Sequence, residues 1–182
     1  MVMCGPSVWR SAGEMLKRIR GLFAKAPEPF PVLEPVALWP IGVVRSRVKE
    51  TGDLGDASEL ESRIVIRPEL EAALMGLDGW SHIQVLFWPH EVPEDVRGSK
   101  MQLHPRDDPE NPLQGVLATR AQIRFNPVLC TAVRLLRVKG NVLRVRGLDA
   151  IDGTPVLDIK PYIARFDSVP EATMPEWVTR SG

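Results

Sequence analysis

The sequence predicts a mainly β protein: a small antiparallel β-barrel with one or two short helices, preceded by a separate N-terminal helix. Three observations predict it. Apolar runs of β type recur along the chain and stay far shorter than the roughly 20 residues of a membrane span. The 17 Pro and 14 Gly punctuate a chain of 182 residues, which suits short strands joined by turns better than long helices. Residues 133–138 and 142–146 flank Lys139, Gly140 and Asn141 as the two arms of a hairpin.

Each element has its own signal. Ser11 and Glu14 have capping-box spacing, and Ala12, Met15, Leu16, Ile19, Leu22 and Phe23 recur at helical spacing until Pro27 and Pro29 stop them. Residues 1–30 are therefore read as an amphipathic helix with a Pro-rich linker. Such a helix docks on the main domain or a second subunit, or else serves a membrane surface or targeting. The barrel domain is expected over residues 37–170 and a tail over 171–182. Residues 42–45, 62–66 and 115–119 read as strands, and 82–88 is apolar enough for a buried one. Residues 68–75 read as a helix with Pro68 in its first turn and Gly76 as its stop. In the second hairpin arm Leu143 and Val145 alternate with Arg144 and Arg146, so one face is buried and the other wet.

Composition excludes several classes. With 44% hydrophobic residues and 23 basic against 23 acidic side chains, the chain is neither disordered nor membrane-spanning. Zero net charge argues against a nucleic-acid partner only until its distribution is examined. Residues 49–78 carry eight acidic and three basic side chains, whereas 111–148 carry seven basic and no acidic ones. Cys4 and Cys130 are the only cysteines, too few for a disulfide framework, and a reducing, cytoplasmic setting fits. His82, His90 and His104 have no Cys or Glu at ligand spacing, so no metal site is expected.

The stretch 147–162 is the most informative. Asp149, Asp152 and Asp158 stand among apolar residues, Gly153 and Pro155 force a tight turn, and Lys160 follows the last carboxylate by two positions. Carboxylates so placed need donors. Either the segment forms a polar site, or Asp149 and Asp152 cap turns while Asp158 pairs with Lys160.

Ala118-Thr119-Arg120, Arg124-Phe125-Asn126-Pro127 and the run from Asp149 to Tyr162 resemble, in order and spacing, the signature blocks of the TsaA-like family, which includes the TrmO tRNA methyltransferases. The runs from Pro40 to Ser46 and from Gly76 to His90 match its earlier blocks, so the resemblance covers roughly residues 38–168. It implies a dimeric S-adenosylmethionine-dependent methyltransferase on a small β-barrel. The implied reaction is methylation of N6 of threonylcarbamoyladenosine beside the tRNA anticodon. Matched positions put cofactor contacts on His90, Glu91, Arg120, Cys130, Asp149, Ala150, Ile151 and Asp152. In that reading Arg120 pairs with the methionyl carboxylate, Asp152 accepts from the ammonium or ribose hydroxyls, and Cys130 with Ile151 supplies apolar walls. Arg124, Asn126, Lys160 and Tyr162 would meet the substrate, with the Arg-rich hairpin on RNA phosphates. Methyl transfer from a sulfonium mainly needs alignment. Any assisted proton removal falls to Asp152, Asp158 or His90, and no catalytic residue is singled out.

Departures from the family pattern bear on the substrate. Phe125 stands where the family has Pro and Leu129 where it has Gly, which changes backbone freedom and bulk. An acidic run at 53–58 replaces a Pro-Arg-Gln segment. The C-terminal domain of many bacterial members has no counterpart in the matched blocks. Two alternatives stay open: the same cofactor with another nucleoside or small-molecule acceptor, and a cofactor-binding or interaction module without catalysis.

Overall fold

Alternating apolar residues need a common interior, and a computed structural model shows how they obtain it. It describes Pro29 and residues 31–179. The chain divides into residues 1–37 and 38–182. Within the first part, Pro29 and residues 31–37 carry no helix or strand, and the predicted amphipathic helix lies outside the described residues.

Residues 38–182 hold eight strands: β1 (Gly42–Arg45), β2 (Glu61–Ile66), β3 (His82–Phe87), β4 (Gln102–Leu103), β5 (Gln114–Gly115), β6 (Leu129–Lys139), β7 (Val142–Arg146) and β8 (Pro155–Pro161). Six close a barrel in the order β1-β2-β7-β6-β3-β8, and β4 and β5 form a separate two-stranded sheet. Every pair is antiparallel, including the β1–β8 seam where Gly42 faces Val156. Closure leaves the barrel no unpaired edge.

The inward set is β-branched and aliphatic, as a pleated, crowded interior favours. Val44, Ile64, Ile83, Val85, Leu143, Val145 and Val156 are fully buried, and with Phe87, Val133 and Leu148 they form one core. Their strand neighbours point outward, so a one-residue slip would expose the core. Gly42 lets β1 and β2 approach: a Cβ there would lie 2.6 Å from the Val65 carbonyl oxygen. The β6–β7 hairpin turns at Gly140 and Asn141, with Gly140 at φ 56°, a backbone region open chiefly to glycine.

The expected hairpin and buried strand form, though β6 begins four residues before the expected arm, at Leu129. Three expectations change. Residues 115–119 are not a strand: pairing stops at Gly115 and Val116–Ala118 make a 3-10 turn. The helix after Pro68 is a 3-10 helix, Pro68–Leu74, and Gly76 follows it in the left-handed region at φ 80°. The segment after Gly153, expected as part of a tight turn forced by Gly153 and Pro155, is the closing strand β8; Pro is tolerated at a strand's first position, where no ladder donor is required.

Residues 88–128 connect β3 to β6 and arch from one strand end to the next. After β8 come two one-turn helices, Ala164–Asp167 and Glu176–Thr179. Among the described residues no helix is long and apolar enough to cross a membrane, and no three His, Cys, Asp or Glu are grouped to hold a metal.

Candidate functional site

At one end of the barrel β3 finishes, β6 begins and the β7–β8 connection passes, and their terminal side chains leave a cleft of about 320 Å³. Its walls are apolar, with Phe87 from β3, Leu129 from β6, and Ala150 and Ile151 from the connection. Val92, Val96 and Ile123 from the long β3–β6 segment complete them. Sequence explains the shape locally. After β3 the chain turns twice, Val92 N–H donating to the Pro89 carbonyl and Val96 N–H to the Pro93 carbonyl, each at 3.1 Å, and the Arg97 guanidinium stacks over Trp88 at 5.1 Å from the ring centre. Gly153, at φ 81°, turns the β7–β8 connection beneath His90, where a Cβ would lie 3.5 Å from Nε2.

Polar groups enter this cleft at few points: His90, Glu91, Gln122 and Asp149, with Thr51 and Thr154. His90 differs from the other histidines. His82 Nδ1 lies 3.0 Å from the Ser81 hydroxyl and His104 Nδ1 lies 2.7 Å from the Asn111 carbonyl oxygen. The Nδ1 of His90 is buried without a hydrogen-bond partner among the described residues. A buried polar atom normally finds a partner, so an orphan in a cleft wall is a place for a ligand to bond.

A second hollow of about 690 Å³ shares Phe87, Gln122, Leu129 and Asp149 with the first and adds Arg120, Arg124, Cys130 and Thr131. Arg120 donates from Nη2 to the Cys130 carbonyl at 2.7 Å, which aims its planar fork into the hollow and leaves its other donors available. Arg124 donates from Nη1 to the Thr119 carbonyl at 2.5 Å and so closes the 116–124 loop. Asp149, exposed, stands where the two hollows meet.

The structure therefore brings His90, Glu91, Asp149, Ala150 and Ile151 into the cleft, and Arg120, Cys130 and Arg124 into the adjoining hollow. It places Asp152 elsewhere. That carboxylate accepts from Lys49 Nζ at 2.7 Å and the Ser46 backbone N–H at 3.0 Å, in a third hollow lined by Arg45, Arg47, Arg63 and Arg144. The Lys49 hydrogen bond, then that from Ser46, holds Asp152 below its ordinary pKa. Asp152 is thus a brace for the β1–β2 loop and does not line the cleft, where Asp149 is the nearest carboxylate in sequence.

Cys130 is a free, exposed thiol that walls the second hollow and not the first. Lys160 pairs with Asp158 at 2.6 Å, and its pKa is raised by that carboxylate. Tyr162 meets His82 edge to face at 6.4 Å. Lys160 and Asp158 pair in register with Gln84 and Leu86 of β3, and Cys130 faces Leu86 from the other side, so they share the outer sheet face rather than the cleft. Asn126 is exposed and lines neither hollow. The two departures in the Arg124 loop are also explained. The Phe125 ring lies over Gly98, where a Cβ would be 2.8 Å from it, and Leu129 is a cleft wall packed on the core. Sequence reading missed the apolar contribution of Val92, Val96 and Ile123, which no motif marks.

A closed antiparallel barrel with a mixed apolar and polar cleft at one mouth defines a small-molecule-binding barrel. Residues 48–168 match the model of the tRNA-methyltransferase O N-terminal domain, and the chain belongs to that family. It is 44% identical over 137 residues to a probable S-adenosyl-L-methionine-binding protein of Methanothermobacter thermautotrophicus, covering 74% of this chain and 95% of that protein. It is 43% identical over 98 residues to the tRNA (adenine(37)-N6)-methyltransferase of Mus musculus, covering 54% of this chain and 22% of that one. A crystal structure of TrmO superposes with a TM-score of 0.63 at 32% identity, over 78% of this chain and 64% of the crystal chain. The chain thus spans somewhat less than two thirds of that solved relative.

Proposed function

We propose that this barrel binds S-adenosylmethionine in the paired hollows and methylates tRNA, at N6 of threonylcarbamoyladenosine beside the anticodon. The observation that carries the binding site is the buried, partnerless His90 Nδ1 inside an apolar cleft. The residues fit the cofactor. Phe87, Leu129, Ala150 and Ile151 offer apolar walls to an adenine, His90 and Asp149 offer polar contacts, and Arg120 can form a bidentate pair with a carboxylate. When bound, the cofactor supplies an electrophilic sulfonium methyl group. Family membership and the S-adenosylmethionine-binding relatives support this reading.

The chain's own task is to align an acceptor nitrogen and keep water out. Of the three groups that could assist removal of the N–H proton, Asp152 is held by Lys49 and Asp158 by Lys160. His90 is the one of the three that lines the cleft, so we assign it that role. A homodimer in the cytoplasm belongs to the same proposal.

Mass spectrometry of tRNA nucleosides after incubation with protein and cofactor tests it. The expected result is threonylcarbamoyladenosine gaining one methyl group; no conversion while the cofactor is demonstrably bound would exclude that acceptor. Leu129 and the Phe125–Gly98 contact favour a second reading, a smaller acceptor on the same site. It predicts that free nucleoside, not intact tRNA, is methylated.

A further inference from the structure

Strand register places four arginines side by side. Arg45 on β1 faces Arg63 on β2, Arg63 faces Arg144 on β7, and Arg144 faces Arg137 on β6. All four are exposed. The row crosses three strand spacings, a span of roughly 14 Å. Arg134 and Lys139 extend the same outer face along β6, where Arg134 is opposite Arg146 and Lys139 opposite Val142. Like charges directly opposite one another destabilise a sheet, so an unrelieved row of this kind is costly to the isolated protein.

Internal relief is partial. Glu61 accepts from Arg144 Nε at 2.9 Å and from Arg146 Nη2 at 2.8 Å, and Arg45 lies 3.9 Å from Asp152. Arg63, Arg134, Arg137 and Lys139 make no ion pair among the described residues. At one end the row opens into a hollow of about 540 Å³, where Arg47 and Lys49 join it. Arg63 comes from the acidic stretch of the sequence, so folding concentrates positive charge that the linear chain disperses.

The face also adjoins the cleft. Ile151 lines the cleft and the next residue, Asp152, lines the basic hollow. An extended anion lying on the arginine row would therefore end beside the cleft wall.

We infer that the outer face of β1-β2-β7-β6 is a docking surface for the phosphate backbone of RNA, with Arg63 and Arg137 as its unpaired anchors. The inference rests on the tRNA reading above and adds a surface made of residues other than those that line the cleft. A row of guanidiniums at strand spacing suits a repeated phosphate, and the apolar neighbours on this face, Val43, Val65 and Val142, form a separate row beside it.

The test measures binding of total tRNA to the full chain without cofactor, across a salt series, for the wild type and for Arg63→Glu/Arg137→Glu. The double variant is expected to lose at least about tenfold in affinity at low salt. Its slope of log affinity against log salt should fall by roughly 1.4 to 1.8, as for two phosphate contacts, while S-adenosylmethionine binding by calorimetry stays unchanged. Arg63→Gln/Arg137→Gln guards against misfolding: it should weaken tRNA binding as well, yet raise the Tm at low salt by removing like-charge neighbours. Affinity and slope within twofold of wild type in both variants would overturn the surface, as would equally tight binding of poly-glutamate. If the variants lose tRNA binding but the wild type methylates no tRNA, the surface stands and the enzymatic reading fails. Intact methylation with unchanged binding by the variants has the opposite meaning.

Discussion

Ile151 and Asp152 are consecutive, yet they serve two different hollows. Ile151 is buried in the wall of the apolar cleft, and the Asp152 carboxylate holds Lys49 at 2.7 Å among the arginines on the other side of the connection. The backbone of Asp152 is pinned as well, its N–H donating to the Val48 carbonyl at 2.8 Å, while Gly153 N–H donates to Val44. The 149–152 segment is thus a rigid partition between the small-molecule cleft and the basic face.

Asp152→Asn tests the partition. The amide keeps the shape but loses the ion pair with Lys49, so cofactor affinity should fall only a few-fold, through the shifted wall. The pH dependence of stability should change more. The folded pKa of Asp152 lies below its ordinary 3.8, so its contribution is fully present above that value and is lost as pH falls through the lower folded value. Acid unfolding followed by circular dichroism should show a shallower decline below pH 4 in the variant, together with lower stability at neutral pH. An unchanged acid limb would show that the pair stabilises nothing.

His90→Phe separates binding from folding. The ring shape is kept and a buried nitrogen without a partner is removed. An unsatisfied buried polar group costs about 1–3 kcal/mol, so the cofactor-free Tm should stay level or rise. Cofactor affinity measured by calorimetry should fall about tenfold or more. A drop in Tm with unchanged affinity would mean that His90 is structural.

How far this was readable from sequence differs between elements. The β6–β7 hairpin was legible because its alternation and its Gly140-Asn141 turn are local and mutually consistent. β8 was not, because Gly153 and Pro155 read as a tight turn and only pairing with β1 and β3 makes the residues that follow a strand. For the site, the family blocks named Asp149 to Ile151 and His90, and the structure places these residues on one cleft wall. The blocks could not separate Asp152 from them, since one residue of turn geometry at Gly153 decides which hollow a carboxylate enters. The arginine row was invisible for a deeper reason. Arg45, Arg63, Arg137 and Arg144 are far apart in the chain, and only strand register aligns them.

Leu143→Ala measures what the barrel core contributes. Leu143 is fully buried between Ile64 and Val138 of the neighbouring strands. Truncation leaves a cavity in a closed barrel with little room to collapse, so the expected loss is about 2–5 kcal/mol. For a chain of this size that corresponds to a Tm lower by roughly 5–15 °C. Calorimetric unfolding checks it, and a shift of only a degree or two would mean that the core relaxes around the gap.

Glu61→Gln probes the carboxylate that pairs with both Arg144 and Arg146. Hydrogen bonds from Arg146 and then Arg144 hold Glu61 below its ordinary 4.5, so its stabilising contribution is present above that value and lost as pH falls through the folded pKa. The amide removes this contribution at neutral pH, frees the Arg144 guanidinium and leaves Arg146 with Glu59 at 3.5 Å. Stability should therefore drop, most at low salt, where repulsion along the row is least screened. Polyanion binding should move the other way: tRNA affinity at low salt should rise several-fold and its salt slope should steepen. A variant that is less stable yet binds tRNA no better would show that Arg144 and Arg146 serve only the fold, leaving Arg63 and Arg137 to carry the surface.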